Sequence, residues 1–166
     1  MLKKLLLTTA LVLSACSSVK DVPLPFASTN EKATEFFNKA GYHFDQGEWQ
    51  EARDNFQSAL RVDPNFIMAN IWGWSEDPVQ TRKYRETAIA NKENANDAEK
   101  IMIEMLEARR NGKASERLEL AKELVNKYSS SSEAHVILGN VYTSQDNLDK
   151  AIESYENALK VNPDNY

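Results

Sequence analysis

The chain has 166 residues, 42% hydrophobic, 27% charged and 9% aromatic, with one cysteine and a formal net charge of −5. That length holds one compact domain or one short repeat array, and five glycines and five prolines, about half the usual share, favour long helices. A mean hydropathy of −0.58 excludes a polytopic membrane protein, and a single cysteine excludes an internal disulfide framework or a thiolate zinc cluster. The acidic balance argues against nucleic acid, whose phosphates need a basic face.

Lys3 and Lys4 precede an apolar run from Leu5 to Leu13, broken only by Thr8 and Thr9, and Ser14 and Ala15 lead to Cys16. A basic start, a short apolar stretch and small residues ahead of a cleavage site outline a secretory signal. The run falls far short of the roughly 20 residues a membrane-spanning helix needs, so a retained transmembrane anchor is not expected. Leu13-Ser14-Ala15-Cys16 resembles the lipobox of bacterial lipoproteins. The resemblance implies that residues 1–15 are removed and that Cys16 carries acyl chains. Two or more chains anchor stably, since each buried methylene contributes about 0.8 kcal/mol. Ser17, where retained inner-membrane proteins often carry aspartate, points by the same resemblance to the outer membrane of a bacterial envelope, with the periplasmic or surface face left open.

Residues 16–32 then form the lipidated cysteine and a flexible linker, with Pro23 and Pro25 set among Ser, Val and Asn. At about 3.3 Å per residue the linker reaches up to about 50 Å, so the body need not touch the lipid.

Beyond it the chain repeats itself. Ala52, Phe56 and Ala59, then Pro64, are echoed by Ala151, Tyr155 and Ala158, then Pro163, at identical spacings. Upstream, Gly47-Glu48-Trp49 parallels Asp146-Asn147-Leu148, and Phe36 and Ala40 parallel His135 and Gly139. Spacings of three and four residues put these side chains on one helix face, so each unit reads as a helix, a tight turn and a second helix ending before proline. The small residues let two helix backbones approach, while Phe56 and Tyr155 fill the space beside them.

This pattern, with Leu138-Gly139-Asn140-Val141-Tyr142 and the endings Val62-Asp63-Pro64-Asn65 and Val161-Asn162-Pro163-Asp164, resembles the tetratricopeptide repeat, whose period is about 34 residues. The two clear copies are 99 residues apart, three short of three periods, so a deletion lies between them. The expected array covers residues 33–166 as units 33–66, 67–97 (shortened), 98–131 and 132–165; Arg117 replaces the small residue of the third and Ser129 its proline. The expected fold is therefore an all-α solenoid. By resemblance it is a right-handed superhelix whose first helices line a concave groove for an extended peptide or a partner helix. Function in such arrays is interaction rather than chemistry.

Some relatives grip acidic C-terminal peptides with a Lys and Asn clamp on the inner helices. The matching positions here are Phe37, Gly41, Met102 and Leu106, so the clamp is absent and only Asn140 has the right type. The expected groove is apolar, with Phe37, Phe44, Met102, Leu106 and Val136 as contacts and methionine supplying adaptability. Residues 78–127 carry 11 basic and 9 acidic groups, against 3 and 6 in residues 33–66. Arg109 and Arg110 fall near the groove mouth; such a pair usually only solvates a helix face, and the sharper reading is that it meets an acidic stretch of a partner.

No catalytic or metal-binding pattern is present, so neither an enzyme, a cofactor nor a metal is expected. His43 and His135 fall at packing positions, and Glu104 and Glu107 suit a solvated helix face. The alternative is a carbohydrate-binding lipoprotein: Trp49 reads as core, but Trp72 and Trp74, flanking Gly73, could stack on sugars. The chain stops where a repeat stops, without a polar capping helix, which suggests a fragment of a longer protein or an end covered by a partner or a second copy.

Overall fold

The computed structural model describes residues 20–164. These residues form eight α-helices and one short 3-10 turn (Lys92–Asn94), with no strand among them. The helices are α1 Glu31–Asp45, α2 Trp49–Val62, α3 Ile67–Trp72, α4 Pro78–Ala90, α5 Asp97–Arg110, α6 Ala114–Lys127, α7 Ser132–Thr143 and α8 Leu148–Val161. None is long and apolar enough to cross a membrane. The signal, the lipobox and Cys16 lie outside the described residues.

Local chemistry explains where the helices begin. Asn30 caps α1 by accepting from the backbone N–H of Lys32 and Ala33, Asp77 caps α4 ahead of Pro78, and Asn96 and Glu99 close a reciprocal capping box on α5. The turns inside the first and third pairs need a left-handed residue and place glycine there, Gly47 at φ +74° and Gly112 at φ +68°.

The helices pack in consecutive pairs, α1 with α2, α3 with α4, α5 with α6 and α7 with α8, and each pair stacks on the next. That is the nearest-neighbour architecture of a solenoid. Inside the pairs the repeated small residues are fully covered: Ala40, Ala52 and Ala59 are 0% exposed. The core runs through the stack from Phe66, Met68 and Ala69 to Met102, Leu124 and Val141. In the shortened unit, α3 has only six residues and ends at Gly73, where a Cβ would stand 2.6 Å from the Ala69 carbonyl oxygen.

The segment before α1 is not a free spacer, and the expectation of a flexible linker over its whole length is corrected here. It is extended, but Leu24 and Phe26 are buried in the common core. The Asp21 carboxylate accepts from the Ser132 N–H (2.9 Å), the Ser132 hydroxyl (2.7 Å) and the Asn162 amide (2.9 Å), so it ties the start of α7 to the end of α8. The Val22 N–H donates to Ser130 O, Asn96 donates to Pro25 O, and the Ser28 hydroxyl donates to Asp63. Residues 21–28 thus form a strap from the last unit past the third to the first. Alternation is the physical reason: Leu24 and Phe26 share one side of an extended chain, while Pro23, Pro25 and Ala27 on the other side are exposed.

Candidate functional site

Helix α1 of the first unit and helices α7 and α8 of the last bound a groove of about 640 Å³. Its lining includes Phe37, Asn38, Tyr42 and Phe44 from α1, Trp72 from α3, and Val136, Ile137, Asn140, Tyr155 and Leu159 from α7 and α8. Its floor is an aromatic cluster. Phe37 meets Phe56 edge-on at 5.7 Å and tilts on Phe66 at 4.9 Å, while Phe44 meets Trp49, Trp72 and Trp74 edge-on at 5.0, 6.3 and 6.1 Å. Edge-on packing fixes these rings and leaves an apolar surface of defined shape.

Trp72, Ile137 and Asn140 also line a second, smaller hollow of about 100 Å³, walled by Ile71, Met102, Met105 and Leu106 and rimmed by Arg85, Arg109 and Arg117. The two hollows therefore share a wall. The Tyr155 hydroxyl donates to Asn140 Oδ1 at 2.8 Å, and the amide N–H groups of Asn140, which lines both hollows, have no partner among the described residues.

Of the residues singled out in the sequence, Phe37, Phe44 and Val136 line the larger hollow, Met102, Leu106 and Arg109 the smaller, and Asn140 both. Met102 is only 5% exposed, so most of it belongs to the core. Arg110 is exposed and lines neither hollow. Sequence reasoning missed Trp72 as a groove wall, the acidic Asp45 and Glu133, and Arg85 and Arg117. For Arg117 a signal existed, because it stands where the repeat pattern puts a small residue.

The electrostatics divide the site. Burial pushes the Glu133 carboxyl up to about 7; the Leu24 N–H works against this, and the Asp21 and Asp45 charges add to it. Burial also raises Asp45. On the arginine side, burial and then repulsion by Arg109 bring Arg85 down to about 10, and the same two causes lower Arg117.

The remaining candidates settle elsewhere. His43, half-buried, pairs with Glu48 at 2.6 Å near the end of α1, and His135, also half-buried, bonds to the Ser129 carbonyl at 3.1 Å. Lys92 bridges Glu104 and Glu107 at 3.1 and 3.3 Å. Trp49, expected in the core, is 58% exposed: as the first residue of α2 it packs perpendicular to Phe44 and leaves much of its side chain in solvent. Among the described residues no group of three His, Cys, Asp or Glu side chains could hold a metal ion.

No curated protein matches the chain. Residues 33–66 and residues 132–165 each match the tetratricopeptide repeat family, and these are the first and last helix pairs, the two that face each other across the groove. With two matched repeats and a stack of helix pairs around them, the chain is a tetratricopeptide-repeat protein, of the kind that serves protein–protein interaction.

Proposed function

We propose that this protein is a lipid-anchored adaptor or assembly factor of the bacterial cell envelope, which holds a partner peptide or helix in the groove between its first and last units. The observation that carries the reading is the aromatic groove of about 640 Å³, bounded by α1 on one side and α7 and α8 on the other. A concave apolar surface with a few convergent polar groups is the usual form of a binding site. The lipobox around Cys16 supports the anchor, and the outer membrane is the proposed location.

The docked strap shortens the leash. Only residues 17–20 separate Cys16 from Asp21, a reach of about 17 Å when extended, so an acylated Cys16 would hold the body close to the lipid rather than about 50 Å away. Leu148, Ile152 and Leu159, at 57%, 56% and 39% exposure, form an uncovered stripe on α8. That stripe supports a further helix or a second copy against this end of the array.

Two measurements test the proposal. Cys16→Ser should move the protein from the membrane fraction to the soluble one, and a variant that stays membrane-bound to the same extent overturns the anchor. A photo-crosslinking residue at Phe44 or Val136 should trap a partner in cells that one at Glu153, exposed and outside the groove, does not; identical adducts from both places overturn the groove.

A further inference from the structure

Arg85 of α4, Arg109 of α5 and Arg117 of α6 converge on one hollow, and none has a carboxylate within 4.0 Å among the described residues. In a chain whose net charge is −5, three guanidinium groups gathered without an acid are a departure that folding alone does not require. Their local bonds leave most donors unused. Arg85 gives only Nη1, to the carbonyl oxygens of Asn70 and Gly73, and Arg117 gives Nη1 to the Ser144 hydroxyl at 3.0 Å. A guanidinium carries five N–H donors in a planar fork matched to a carboxylate. Each fork therefore keeps donors for something that is not part of the fold.

What the hollow faces narrows the ligand. It opens beside the aromatic groove through Trp72, Ile137 and Asn140, so an occupant of one lies against the other. An acyl chain would have no use for the unpartnered Asn140 amide, which suits a peptide carbonyl. Asp45 and Glu133 line only the larger hollow, where the Asp45 charge opposes an acidic group. Attraction in one hollow and repulsion in the other decide where an acidic group sits, and so fix direction as well as affinity.

We propose that the groove binds an extended apolar segment of a partner protein in a single orientation, with an Asp or Glu side chain of that segment held by Arg85, Arg109 and Arg117. The inference rests on the groove reading above. It adds the chemistry of the ligand and its polarity, and it assigns Arg109 as the specificity residue: Arg109 is exposed and its side chain makes no hydrogen bond among the described residues, whereas Arg85 also supports the end of α3.

The test uses the purified full chain and a fluorescent, amidated apolar peptide with one glutamate, together with its glutamine, lysine and reversed-sequence forms and a free-acid form of the glutamine peptide. Wild type should bind the glutamate peptide at least about tenfold more tightly than the other forms. Arg109→Glu should lose that preference and favour the lysine peptide, a charge reversal that a merely misfolded variant would not show. Equal binding of the glutamate, glutamine and lysine peptides overturns this inference while leaving the groove reading intact. Recovery of binding by the free-acid glutamine peptide alone overturns the side-chain assignment in favour of a chain terminus. If no peptide binds wild type, and a crosslinker at Phe44 traps nothing, both readings fall together.

Discussion

Gly139 and Tyr155 occupy adjoining space so closely that a Cβ on Gly139 would stand 2.4 Å from Cε1 of the ring and 2.7 Å from Cδ1. The ring cannot simply swing aside, because its hydroxyl donates to Asn140 at 2.8 Å and stands 3.1 Å from Thr143 Oγ1. Gly139→Ala gains about 1 kcal/mol of helix propensity but incurs overpacking of about 1–3 kcal/mol. The expected result is a net loss of about 1 kcal/mol in urea denaturation. Tyr155→Phe, which frees the far end of the ring, should reduce that loss in the double variant. A Gly139→Ala protein as stable as wild type would show that the ring yields.

The groove carboxyl of Glu133 makes stability depend on pH. Its ordinary value is 4.5, and burial, with Asp21 and Asp45 nearby, pushes it up to about 7 in the folded chain. The folded state therefore holds the proton more tightly than the unfolded one. The associated stability is fully present below about 4.5 and is lost as pH rises towards about 7, by up to about 3 kcal/mol. Glu133→Gln should remove this decline and leave the protein more stable than wild type at pH 8, measured by urea midpoints across the range. Parallel pH profiles for the two proteins would count against a raised Glu133.

The strap yields a prediction that a spacer does not. Phe26 is 6% exposed, so Phe26→Ala should cost about 3–5 kcal/mol, where the same change in a solvated linker would cost almost nothing. Asp21 acts at the other end. Burial works against its charge, but the Ser132 N–H and hydroxyl and the Asn162 amide outweigh this and hold it below the ordinary carboxylate range. Its contribution is present above that range and lost as pH falls through the lowered value. Asp21→Asn should raise amide exchange at Val22, whose N–H bonds to Ser130, ahead of global unfolding; unchanged protection would overturn the strap.

The helix pairs were legible because their cause is local: alanine and aromatic positions three and four residues apart define a face, and prolines mark the ends. The groove contacts Phe37, Phe44 and Val136 were legible for the same reason, since a repeat fixes which face turns inward. The strap was not, because Leu24 and Phe26 become core only through the stacked units, and Asp21 and Val22 are tied to residues more than a hundred positions away, while Pro23 and Pro25 supply every local sign of a spacer. Arg85 and Arg117 lay hidden in another way. Arg85 is an ordinary polar residue on its own helix, Arg117 stood out only as a large residue at a small-residue position, and only the stacking of α4, α5 and α6 brings them to Arg109.

The repeat turns offer a prediction of opposite signs at equivalent places. Gly47, Gly112 and Asp146 occupy the same position in the first, third and last pairs, all left-handed, with φ of +74°, +68° and +59°. Only Asp146 carries a side chain there, a conformation that costs an L-residue about 1–2 kcal/mol, less for Asp than for most. Gly47→Ala should therefore destabilise by about 1 kcal/mol, although its Cβ would meet nothing within 4 Å, so the cost is conformational and not a clash. Asp146→Gly should stabilise by up to about 1 kcal/mol, reduced by the extra freedom glycine gives the unfolded chain. Both are read as shifts in urea midpoint at constant slope. If Asp146→Gly lowers the midpoint as Gly47→Ala does, the last turn owes its stability to the aspartate side chain and not to its backbone.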